Sequence, residues 1–159
     1  MPYLMALAEP PKRGRPPAVQ ALNKAAIALL SAHLQGFVAD LHEEAARKLL
    51  GPHVVDIDEL VKSAAMRGNP RVEEINRLFA TIGIKKVADR LRWQKCNNQA
   101  VKRKLTSFLK LRNDIVHGKA GDVRKSTVEQ YLRSWKVLAE KLESEVTKSI
   151  KKKTGSHPW

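Results

Sequence analysis

The chain has 159 residues, 43% hydrophobic and only 5% aromatic, with 30 Lys and Arg against 16 Asp and Glu, a formal charge of +14. This is the length of one domain with enough apolar content for a core, and its aliphatics and alanines suit helices better than a β-sandwich. A charge this large repels itself and implies an anionic partner, RNA or DNA ahead of a membrane surface.

Residues 1–17, MPYLMALAEPPKRGRPP, are rich in proline and basic residues and have no periodicity, so a disordered arm is expected. Their charges follow a short apolar part, the reverse of a signal peptide. From Ala18 to Leu50 runs one long helical pattern, with Leu22, Ala26, Leu29, Leu30, His33, Phe37, Leu41 and Ala45 at three- and four-residue spacing, stopped by Gly51-Pro52. DIDELVKSAAM predicts a short helix with Asp56 as N-cap and Glu59 three residues on, a capping-box pair. After the turn RGNP, RVEEINRLFATIG predicts another helix ended by Gly83, and IKKVADRLRW a short helix or connector. A further helix is expected from Asn98 to His117, then the glycine-marked loop GKAGD. Ser126 with Glu129 is the expected cap of a last helix, which fades into the basic tail KKKTGSHPW at residues 151–159. Period-two alternation is almost absent, so the fold class is all-α, an up-down bundle of four to five main helices over residues 18–150. No run nears the ~18 apolar residues of a membrane helix. Cys96 is the only cysteine, and no Cys/His group has zinc spacing. A reducing cytoplasm, no metal and no other cofactor are therefore expected.

The stretch LRNDIVHG, Leu111 to Gly118, carries the chemistry. On a helical wheel Val101, Leu105, Phe108, Leu109, Ile115 and Val116 form the apolar stripe, and Arg112 falls within it. A guanidinium keeps its charge, so it must snorkel out, pair with a carboxylate or line a cleft that holds an anion. Asp40 and Glu44 on the first helix, with Glu43 beside them, are candidate partners, and His33 on the same face is a core or cleft-lining histidine. His42 and His53 are expected at the surface.

Asn113 and His117 are four apart and share a neighbouring face. A histidine before a glycine at a helix end can simply meet terminal carbonyls, but that covers His117 alone. The three types together suit metal-free RNA cleavage. That reaction needs a group to move the 2′-OH proton, a cation for the charge growing on phosphorus, and a polar group to orient either. One histidine cannot be acid and base at once, so a second copy from a dimer partner would help.

LKLRNDIVHG resembles the signature of the HEPN superfamily of small all-α proteins: Arg, four to six residues, then His, often with a polar residue right after Arg. LLSAHLQGFVADLHEEA resembles the first helix of the RiboL-PSP type of HEPN domain. The resemblance covers residues 20–148. It implies a homodimer whose two motifs face each other as one composite ribonuclease site, with Arg112 and His117 as the catalytic pair and Asn113 in support. It also implies a toxin or antiphage defence role, with an antitoxin protein as partner in some members. Some HEPN domains are not nucleases, so the alternative is a catalytically silent nucleic-acid-binding or regulatory domain in which Arg112 is structural.

Lys110 and Lys119 flank the motif as candidate nucleic-acid contacts. PKRGRPP resembles an AT-hook, which would insert Arg13 and Arg15 into the minor groove of A·T-rich DNA, with generic phosphate attraction as the simpler alternative. Trp93, Trp135 and Trp159 are expected as core or anchors rather than stacking platforms.

Overall fold

A computed structural model describes residues 17–51, 56–66 and 68–158. Five α-helices hold these residues together: α1 (Pro17–Leu50), α2 (Ile57–Ala64), α3 (Val72–Ala80), α4 (Asn98–Val116) and α5 (Lys125–Thr154). A single 3-10 turn, Ala88–Arg90, lies between α3 and α4, and no strand occurs among the described residues. The all-α bundle is as the sequence implies.

Helices α1, α4 and α5 form the frame. Gln20, Asn23 and Lys24 near the start of α1 hydrogen-bond to the backbone of Ala120 and Val123, in the loop that joins α4 to α5. At the other end of α1, His42 meets Thr81 just past α3. α4 therefore runs antiparallel to α1, and α5 runs parallel to it. Phe108 of α4, fully buried, seals α4 to α5 through ring contacts with Tyr131 (4.9 Å) and Trp135 (5.0 Å).

Three local expectations hold. Asp56 caps α2 by accepting from the Glu59 backbone N–H at 2.9 Å. α1 stops at Leu50, and Gly51 takes φ +61. α4 starts at Asn98 as expected, and the structure adds a cap that the sequence reading did not name: Asn97 accepts from Ala100 N–H at 2.9 Å.

Four others change. The buried face of α1 is Ile27, Ser31, Leu34, Val38, Leu41, His42, Ala45 and Ala46. Leu22 and Leu29, expected in the core, are 69% and 60% exposed, and His33 also faces solvent. α1 carries apolar residues on every side, so spacing alone could not choose the face. His42, expected at the surface, is 1% exposed. Burial lowers its pKa, with Arg77 acting in the same direction and the Leu78 carbonyl and Glu43 opposing. The Thr81 hydroxyl donates to the Leu78 carbonyl (2.6 Å), so it accepts from His42 Nε2 at 3.0 Å, and Phe79 packs edge-on against the imidazole.

α5 begins one residue before Ser126, with Arg124 at its N-cap and no side-chain cap; Lys125 and Glu129 form an i,i+4 ion pair instead (3.7 Å). It then continues through Lys151–Lys153 to Gly155 at φ +75, so the lysine run lies within the helix. The residues around IKKVADRLRW form turns and the 3-10 segment, with Ile84, Val87, Ala88 and Leu91 buried. His53, Arg13, Arg15 and Trp159 lie outside the described residues.

Candidate nucleic-acid cleavage site

The site is built on the last turn of α4. Its buried stripe, Val101, Leu105, Phe108 and Leu109, runs toward the bundle end. Leu111, Arg112 and Ile115 beyond it are only half-buried. Arg112 continues the stripe where the bundle stops covering it, so the guanidinium reaches the surface on an apolar stem. Its Nη1 donates to Asn113 Oδ1 at 3.1 Å. No ion pair among the described residues involves Arg112.

The expected carboxylate partners are elsewhere. Glu43 accepts from Arg47 (2.8 Å), which also bridges to Asp58 (2.7 Å), while Asp40 and Glu44 are exposed. The antiparallel course of α1 explains this. Lys24 donates to the Ala120 carbonyl (3.0 Å), three residues past His117. Asp40 stands sixteen residues beyond Lys24, about 24 Å further along the axis at 1.5 Å per residue. The α1 carboxylates therefore sit toward the far end from the motif, a relation that wheel positions on separate helices could not show.

His117 is the C-cap residue of α4, exposed, with φ −87 and ψ 7. A Schellman motif fixes it there. Gly118 at φ +69 donates to the Ile115 carbonyl (3.1 Å), and Lys119 donates to the Asp114 carbonyl (2.7 Å). Glycine takes the left-handed conformation without the Cβ penalty, so the helix ends cleanly and holds its last side chain in the open. Lys110 and Lys119 are also exposed beside the motif.

The structure thus brings Arg112, Asn113 and His117 to one helix end, and leaves Asp40, Glu43, Glu44 and His33 apart from it. The sequence model of the RiboL-PSP-HEPN family matches residues 4–148. The chain belongs to this family. HEPN membership points to a nuclease or nucleotide-binding role and to contact with nucleic acid. No curated protein and no solved structure matches the chain.

As a site in this HEPN protein, the motif supplies a fixed cation held by an amide and an accessible imidazole on an open surface. Among the described residues no three His, Cys, Asp or Glu side chains cluster as metal ligands, and no helix is long and apolar enough to cross a membrane. Four surface hollows run along α4, α5 and the turns before α4; none is lined by Arg112, Asn113 or His117, and one reaches Thr127 in the first turn of α5. Sequence reasoning missed them because their residues come from three separate segments with no common spacing.

Proposed function

We propose that this HEPN protein is a metal-independent endoribonuclease acting as a homodimer, with Arg112, Asn113 and His117 from each copy forming one composite site. The carrying observation is Arg112: a half-buried guanidinium at the bundle end, bonded to Asn113 and to no carboxylate among the described residues. Its other N–H groups remain available to phosphate oxygens, which a guanidinium grips bidentately.

In this scheme one neutral His117 takes the proton from a ribose 2′-OH, and the 2′-oxygen attacks phosphorus. Arg112 stabilises the charge on the phosphorane. As the bond from phosphorus to the 5′-oxygen breaks, the second copy's protonated imidazole gives that oxygen a proton. The products are a 2′,3′-cyclic phosphate and a 5′-hydroxyl. Apolar surface for a second copy is present near the motif: Val116 beside His117 is exposed, as are Leu22 and Leu29 on the part of α1 nearest the motif's loop. A toxin or antiphage role, with an antitoxin protein as control, fits an RNA-cutting activity.

The test is incubation of purified protein with RNA in EDTA, followed by end analysis. Wild-type protein is expected to leave cyclic phosphate ends. His117→Ala is expected to lose about 10²–10⁴-fold in rate and Arg112→Ala about 10²–10³-fold. Equal cleavage by all three proteins refutes the assignment.

A further inference from the structure

Four surface hollows adjoin one another through shared residues, and together they form a groove along α4 and α5. Arg90 is common to the first and second, Arg92 and Asn97 to the second and third, and Arg103 to the third and fourth. The first, second and fourth hollows line α5 between Lys153 and Thr127, a span of about 39 Å at 1.5 Å per residue, and the third lies over the turn before α4 and its first turns.

The groove's lining is strongly basic. Arg92, Lys95, Arg103 and Lys141 make no ion pair among the described residues. Among the described residues Lys104 meets the Ser134 hydroxyl, at 3.4 Å, and no carboxylate. The lining has two carboxylates, and Glu145 already serves Arg90 (2.9 Å) and Lys148 (2.8 Å).

Two aromatic side chains interrupt this basic lining. Trp93 lines the third hollow with Arg92, Lys95 and Arg103, and Tyr131 lines the fourth with Arg103 and Lys104. Both are half-buried and packed against the core, Tyr131 beside Phe108 and Trp135. The Trp93 segment is stiff: Trp93 and Cys96 exchange both backbone hydrogen bonds (2.9 Å each) around a turn with Lys95 at φ +59. Cations that follow a backbone, with aromatic faces between them, suit a single strand whose bases stack. A duplex offers phosphates but no free base faces.

We infer that the groove from Lys153 past Trp93 to Tyr131 binds single-stranded nucleic acid and delivers it to the cleavage motif. Its Thr127 end lies in the first turn of α5, directly after the loop that follows His117. That the strand is RNA rests on the proposed ribonuclease activity. The groove's own chemistry, phosphate contact and stacking, is shared by RNA and single-stranded DNA.

The experiment is fluorescence anisotropy on the full chain with a labelled 12-nucleotide 2′-O-methyl RNA, which the motif cannot cleave. The Arg92→Glu/Arg103→Glu double variant is expected to bind at least tenfold more weakly and to lower the slope of log K against log salt by about two. Trp93→Ala is expected to weaken binding about tenfold, with Trp93→Phe retaining most of it. Arg133→Glu/Lys136→Glu changes the same charge on exposed α5 residues outside the groove, and is expected to stay near wild type. Circular dichroism confirms that each variant is folded.

Equal loss in the two double variants, or loss in neither, overturns the groove. So does a duplex that binds more tightly than either strand while Trp93→Ala has no effect. Single-stranded DNA of the same sequence is expected to bind within a few-fold of RNA. A more than tenfold preference for either strand overturns the assignment to phosphate contact and stacking alone. If the groove variants lose binding but wild type cuts no RNA, the nuclease proposal fails and the groove stands. If wild type cuts RNA and the groove variants bind and cut equally well, the groove fails alone.

Discussion

Replacing Gly118 by alanine tests how the chain positions His117. At φ +69 an added Cβ meets nothing within 4 Å, so the cost is conformational rather than a clash. A non-glycine residue in the left-handed region costs about 1–2 kcal/mol. The lower entropy of alanine in the unfolded chain returns about 0.4–1 kcal/mol. The net loss is about 1 kcal/mol, or about 2–4 °C in Tm for a chain of this size. The functional effect should be larger than the stability effect. Fraying the Schellman hydrogen bonds of Gly118 and Lys119 frees the very residue that carries the imidazole. Differential scanning fluorimetry and RNA cleavage read the two effects on the same samples. Gly118→Asn, which tolerates the left-handed region, should keep most of both. Gly121→Ala lies in the same loop without a positive φ or a close neighbour, and should be silent. Gly118→Ala with wild-type Tm and wild-type cleavage refutes the claim that the cap positions His117.

Three more outcomes follow from particular contacts. Phe108→Ala, which removes a fully buried ring between Tyr131 and Trp135, should cost about 3–5 kcal/mol in urea unfolding; a loss below about 1 kcal/mol contradicts its place in the core. Arg112→Lys keeps the charge but not the planar fork, so cleavage should fall well below wild type while Tm barely moves; full activity would show that a point charge suffices. His42 has its pKa lowered in the fold by burial, so between that pKa and the ordinary histidine value the unfolded chain binds more protons. Its contribution to stability is therefore present above about pH 6.5 and is lost as pH falls from there through the lowered pKa of the folded state; urea midpoints of wild type and His42→Gln should show a shallower acid decline in the variant, and parallel curves contradict the linkage.

Much of this could be read in the sequence, but unevenly. The helices were legible where an apolar stripe met punctuation: Asp56 before α2, Gly51 after α1 and Gly118 after α4. The trio Arg112, Asn113 and His117 was legible because a charge on an apolar stripe needs a reason. Which face of α1 is buried was not, since Leu22 and Leu29 look no different from Ile27 and Leu34 until α4 and α5 are in place. The acidic partners assigned to Arg112 failed for a related reason. A wheel gives angle around one helix but not height against another, and Asp40, Glu43 and Glu44 lie far up α1. His42 illustrates the converse: its burial depends on Thr81 and Phe79, nearly forty residues away. The basic groove has no local signature, because tertiary packing alone brings Arg92, Arg103 and Lys141 to one surface.

The central claim is that one motif is half a site, and subunit mixing tests it most directly. Wild-type and His117→Ala chains are unfolded together, refolded at varied ratios to randomise the dimers, and assayed for RNA cleavage. If each site needs both imidazoles, heterodimers are silent and activity follows the square of the wild-type fraction, falling to about a quarter at an equal mixture. Activity in direct proportion to the wild-type fraction, about half at that point, would mean that each chain carries a complete site and would contradict the composite arrangement.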